Sequence, residues 1–182
     1  MANLNKKMNN EGTAIRIGEV RFSYPRLFEP NDKGKYTCCL LIEKSNTEAL
    51  KLIEEGTTVA AKKGAAKFWS GKVPPTLKKP LHDGDAERPD DPAYANCMFI
   101  NCSNKYPPQV GVWDEFGLAK ITDERDLYAG CYGAVTLEFY PYNVDGSRGV
   151  AASMGNVIKL RDGDPLAGKA ESLDASFADL GD

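Results

Sequence analysis

From Ala14 onward, hydrophobic and polar positions alternate in two phases. Ile15 and Ile17 share one parity, Val20, Phe22 and Tyr24 share the other, and the switch falls at Gly18-Glu19. One extra residue inserted into a strand does this, so the pattern predicts a bulged strand that bends. YPRLFEPNDKGK then reads as a Pro-bounded turn, and Lys35 to Glu43 as a second strand with Tyr36, Cys38, Leu40 and Ile42 on its core face. Ser45 and Glu48 form an S-x-x-E capping box, and Ala49, Leu52, Ile53, Gly56 and Ala60 recur at helical spacing to about Lys63, which predicts the one long helix. Residues 64–95 are rich in Pro, Gly and charge and read as a long surface excursion. Strand character returns at residues 96–103, 109–113 and 118–121. It is clearest at 131–142, where Cys131, Gly133, Val135, Leu137 and Phe139 face one way, and it ends with residues 149–160.

One helix among six or seven short antiparallel strands predicts an all-β fold with one main helix. The best fit is an OB-fold, a five-stranded Greek-key barrel, with added hairpins and loops. An immunoglobulin-like sandwich is the rival architecture. It has no place for the helix, and a strand that bends across a barrel suits the two-phase pattern better. The domain reading is a disordered N-terminus over 1–13, a barrel over 14–161 and a flexible acidic tail over 162–182.

Composition narrows the function classes. The chain has 182 residues, 42% hydrophobic and 27% charged, enough to bury a core unaided. No apolar run approaches the roughly 20 residues that cross a bilayer, and MANLNKKMNNEGT has no apolar segment behind its lysines. A cytoplasmic protein is expected. The five cysteines sit in strand-like apolar runs without paired CxxC spacing and read as reduced core residues. His82 is the only histidine and has no nucleophile elbow to serve. HDGD at 82–85 and RDGD at 161–164 resemble the carboxylate pairs of a metal-dependent nuclease, but Asp-Gly is common turn chemistry and neither cluster has a third acid. No catalytic residue, metal or cofactor is expected.

Charge is unevenly distributed. Residues 162–182 hold six acids and Lys169, net −5, which leaves +2 for the rest, and residues 51–79 hold seven lysines against Glu54 and Glu55. Aromatics lie among the basic positions. Trp113 is out of phase with Val110 and Val112, Tyr106 follows Lys105, Tyr140 and Tyr142 share the non-core face of their strand, and Trp69 lies between Lys67 and Lys72. Flat rings beside cations are what a groove for single-stranded nucleic acid needs. The candidate contacts are therefore Trp113, Tyr106, Tyr140, Tyr142 and Trp69 for bases, and Lys35, Lys72, Lys105 and Arg148 for phosphates.

The blocks FSYPRLFEP, KYTCCLLIEK, PLHDGD, LYAGCYGAVTLEFYPYN and GVAASMGNVIKLRDGDPLAG, in this order, resemble the single-stranded-DNA-binding proteins of tailed bacteriophages over about Ile15 to Gly168. The resemblance implies an OB fold, single-stranded DNA as ligand, no catalysis, and a role in phage replication, recombination or repair. The tail, with Asp174, Phe177, Asp179 and Asp182, is the expected contact for phage replication or recombination proteins. A monomer or a dimer suits the sequence equally. A phage assembly protein built on a β-barrel, binding protein instead of DNA, is the alternative.

Overall fold

The structure is a computed structural model and describes residues 3–166. A two-residue strand, β1 (Lys6–Lys7), runs beside β2 (Ala14–Arg26), with Lys6 opposite Arg16. The polar stretch read as disordered is thus laid against the barrel from residue 3 onward. Asn9 holds the connection by accepting from the backbone N–H of Gly12 (2.8 Å) and Ala14 (3.2 Å). Next come β3 (Tyr36–Glu43), α1 (Thr47–Lys67), β4 (Leu81–Asp83), α2 (Gly84–Glu87), β5 (Cys97–Asn104), β6 (Val110–Asp114), β7 (Gly117–Lys120), β8 (Tyr132–Val144) and β9 (Ser147–Arg161).

Five of these strands close on themselves. β2 pairs with β3, β3 with β5, β8 with β2 and β9 with β8, all antiparallel, and β9 returns to β5 in parallel at Ser103 and Ser153. This order makes an OB-fold barrel. The bulge expected at the phase switch is present, because the β2–β8 register shifts between Gly18 and Val20. β6 and β7 form a hairpin joined to β9 through β6, and β4 borders β5. The interior is filled by Ile15, Ile17, Phe22, Leu40, Ile100, Leu137 and Met154, all at most 2% exposed.

The helix lies against β8 through small residues. Its buried stripe is Ala49, Ile53, Gly56, Thr57, Ala60, Ala61, Gly64 and Ala65. A Cβ at Gly56 would stand 2.6 Å from the Phe139 ring, and one at Gly64 would stand 2.5 Å from Pro141 Cβ. Glycine inside a helix costs about 1 kcal/mol against alanine, and here it sets the distance between helix and barrel. The cap is Asn46, one residue later than the capping box predicts, and its side chain accepts from the Ala49 N–H. All five cysteines are buried and free.

Neither Asp-Gly-Asp segment is the turn its sequence suggests: the first is the junction where β4 ends at Asp83 and α2 begins at Gly84, and the second is the end of β9 at Arg161 followed by irregular chain. Asp83 caps α2 by accepting from the Asp85 N–H, and Asp162 accepts from Tyr128 Oη and pairs with Lys159. The acidic-tail reading of Asp174, Phe177, Asp179 and Asp182 falls outside the described residues.

Candidate nucleic-acid interface

Alternation along β3 and β5 sends Cys38, Leu40, Ile100 and Cys102 inward and Thr37, Cys39, Phe99, Asn101 and Ser103 outward. Thr37 faces Ser103 and Cys39 faces Asn101 across the pair, so these side chains make one floor. Half of that floor is roofed. The excursion returns through Asp91–Ala95 and sets Tyr94 edge-on against Phe99, with ring centroids 5.2 Å apart, forming a small outer core with Cys39, Leu41 and Cys97. Burial pushes the Tyr94 phenol up to about 12, and its oxygen lies 3.6 Å from Cys39 Sγ. On the far side of Phe99 the His82 ring stacks at 5.0 Å.

Arg88 ends α2, where its N–H donates to Gly84 O, and its guanidinium lies 5.6 Å from the Tyr94 ring centre and 5.9 Å from that of Phe99. None of the ion pairs among the described residues uses it. The turn that presents it is held by Lys44 Nζ, 2.9 Å from Asp83 and 2.7 Å from Asp85. That ammonium holds both carboxyls below their ordinary range.

Tyr24 forms the other wall. It is 73% exposed and has φ 48°, in the left-handed region. The β2–β3 register slips at this point, between Ser23 and Arg26. Ser23 is therefore buried, while Tyr24, which the alternation placed with Val20 and Phe22, swings out. Tyr24, Thr37, Arg88, Tyr94, Asn101 and Ser103 line one groove of about 340 Å³.

The same strands lead to three of the sequence-predicted residues. Tyr36 pairs with Asn104, so Lys35 and Lys105 leave the sheet side by side. Lys35 follows a turn in which Asn31 accepts from the N–H groups of Lys33 and Lys35 at 3.0 Å, and Gly34 adopts φ 75°. Asn104 donates to Met154 O at 2.8 Å and accepts from the Tyr106 N–H at 3.1 Å, which fixes the loop at the barrel seam. Tyr106 is 65% exposed, with Lys105 Nζ 5.2 Å from its ring centre.

The remaining predicted residues lie elsewhere. Tyr140 (44% exposed), Tyr142 and Arg148 gather where β8 turns into β9, with Tyr142 opposite Gly149 and Arg148 opposite Asn143. Trp113 (49% exposed) stands on the β6–β7 hairpin beside the outer face of β8 and β9. Lys72 is exposed in the loop after the helix. Trp69 is a correction: it is 6% exposed, with its ring over Gly64, and so plugs the helix end and presents no face to a base.

Sequence reasoning missed Tyr24 and Arg88. A Tyr-Pro step at a strand end was the available signal for the first, while Arg88 carried none, since Tyr94 meets it only through the fold. A second stack, Tyr132 between Arg21 (5.3 Å) and Arg161 (3.7 Å), is occupied by the chain itself: Arg21 donates to Asp164 O, and Arg161 pairs with Glu19.

Residues 13–181 match a family described as Enterobacter phage Enc34, ssDNA-binding protein. Protein p50 of Acyrthosiphon pisum secondary endosymbiont phage 1 is 32% identical over 176 residues, covering 91% of this chain and 93% of that protein. Among solved structures, the single-stranded DNA-binding protein from bacteriophage Enc34, C-terminally truncated, superposes with a TM-score of 0.76 at 22% identity, over 91% of this chain and 94% of that one. Its complex with ssDNA gives 0.71 at 23% identity over 90% and 98%. The crystal structure of gp2.5, a single-stranded DNA-binding protein encoded by bacteriophage T7, gives 0.61 at 15% over 93% and 94%. At these identities the structural matches establish the fold.

Proposed function

The chain belongs to the family of the Enterobacter phage Enc34 ssDNA-binding protein, and from that membership together with the outer face of β3 and β5 we propose that it binds single-stranded DNA without reading its sequence. In a five-stranded barrel of this kind, the face of the second and third strands, flanked by the loop between the first and second and the loop between the fourth and fifth, is the usual seat of an oligonucleotide. Here those strands are β3 and β5, and the first of these loops carries Lys33 and Lys35.

The observation that carries the reading is the groove between Tyr24 and Arg88, continued by Lys35, Lys105 and Tyr106 at the ends of the same strands. Exposed rings accept any base at about 1–3 kcal/mol per stack, and the cations follow the phosphates. The polar floor of Thr37, Asn101 and Ser103 offers hydrogen bonds but too few for a base code. Tyr140, Tyr142, Arg148, Lys72 and Trp113 stand outside this track and are not assigned to it. The role is binding rather than catalysis. By coating exposed strands in the host cytoplasm, the protein keeps them from nucleases and re-annealing during phage DNA replication, recombination or repair.

Fluorescence anisotropy with labelled oligonucleotides tests this. Oligo(dT) and mixed-sequence single strands bind with similar affinity and the duplex binds more weakly. The log-log salt slope is about −0.7 per phosphate contacted, and Arg88→Ala makes it shallower by about one contact. Equal binding of duplex, or no binding at low salt, defeats the proposal and turns attention to protein partners.

A further inference from the structure

Away from the DNA face, the outer side of β8 and β9 carries an apolar groove of about 300 Å³ between the β6–β7 hairpin and the N-terminal arm. Trp113 and Leu118 form one wall, Leu4 the other, and Ala134, Ile158 and Leu160 the floor. Arg16 also lines it and braces the Leu4 wall, donating to Leu4 O at 2.9 Å and Asn3 O at 3.1 Å, while Lys6 stands opposite Arg16 in the β1–β2 register. The groove is thus apolar with cations on its arm side. Asp114, Glu115 and Lys120 border the hairpin side. Surfaces of this kind are covered in use.

We infer that the occupant is the chain's own C-terminal segment. Leu173, Phe177 and Leu180 are spaced i, i+4, i+7 and would form one side of a helical turn pair, between the acids Glu171, Asp174, Asp179 and Asp182. Apolar teeth flanked by carboxylates complement an apolar slot with Arg16 and Lys6 on its rim. The path is short enough. The described chain ends at Leu166, which packs against the Tyr94–Phe99 cluster and whose N–H donates to Ala129 O at 2.9 Å; Ala129 precedes the groove-floor residue Ala134 by five residues, a separation of at most about 17 Å. Residues 167–172, extended, span up to about 20 Å. Leu173 therefore reaches the slot without the barrel moving, and the segment is held on a face that leaves the Tyr24–Arg88 groove open.

Acrylamide quenching of tryptophan emission in the full chain, without nucleic acid, tests this. Trp69 is buried and serves as a constant background, so the signal that changes is that of Trp113. In the wild type Trp113 is shielded. The full-length double variant Phe177→Ser/Leu180→Ser raises the quenching constant at least about twofold, as one of two rings goes from covered to half exposed. The same pair of substitutions made with Trp113→Phe leaves quenching unchanged. Equal quenching of wild type and double variant overturns the inference. So does a difference that persists without Trp113, which places the segment elsewhere, or one that vanishes on dilution, which makes the occupant a second copy.

Discussion

Replacing Tyr24 by glycine separates the contribution of this residue to folding from its contribution to binding. Three terms set the folding side. The residue has φ 48°, and a non-glycine side chain in that region costs about 1–2 kcal/mol, which glycine recovers. Glycine gives back about 0.5–1 kcal/mol through the greater freedom of the unfolded chain. With the ring 73% exposed, about a quarter of a roughly 200 Å² side chain is buried, and losing it at 25 cal/mol per Å² costs about 1.3 kcal/mol. The sum lies within about 1 kcal/mol of zero. On the binding side one stack is lost, about 1–3 kcal/mol, or roughly 5- to 150-fold in Kd. Urea unfolding and anisotropy on oligo(dT) therefore diverge for Tyr24→Gly, while Tyr24→Phe keeps both near wild type. Unchanged affinity for Tyr24→Gly refutes the assignment of this ring to the interface, and a loss of more than about 3 kcal/mol of stability would show that its strained backbone serves packing instead.

Further outcomes follow from the packing and the charges. Gly56→Ala places a methyl 2.6 Å from the Phe139 ring, so it destabilises by about 1–3 kcal/mol in urea despite the gain in helix propensity; a stabilised variant would show that α1 can lift off β8. Lys44 holds Asp83 and Asp85 below their ordinary 3.8, so the clamp on the Arg88 turn contributes above about pH 3.8 and is lost as pH falls through the lowered folded values. Cys39 and Cys97 under Tyr94 then react faster with 4,4′-dithiodipyridine below that pH, and Lys44→Met removes the pH step; a step that survives Lys44→Met refutes the clamp. Lys35→Ala and Lys105→Ala each weaken binding of all single strands alike and make the salt slope shallower; a loss confined to one sequence would contradict phosphate contact.

Several of these features are legible in local pattern. The helix is, because eight small or apolar residues recur along 21 positions; its cap moved from Ser45 to Asn46 and its end from about Lys63 to Lys67. The bulge in β2 is, because an extra residue inverts the parity of everything after it. The barrel strands, the buried thiols and the pairing of aromatics with lysines near Lys105 follow from composition and alternation in the same way.

Which side chains line the proposed groove was decided in three dimensions. Alternation states which side of a strand a residue occupies but not what comes to cover that side. Cys39 and Leu41 point out of the barrel yet are buried, because the stretch just before β5, remote from them in sequence, lays Tyr94 over them and over its near neighbour Phe99. Trp69, in a basic loop, folds inward onto Gly64, and Tyr24, in phase with the core, turns outward where the register slips. Arg88 gains its ring partners because the short stretch between α2 and β5 folds back on itself over the sheet. Periodicity is set by backbone geometry within a few residues, whereas exposure depends on which remote segment wins the contact.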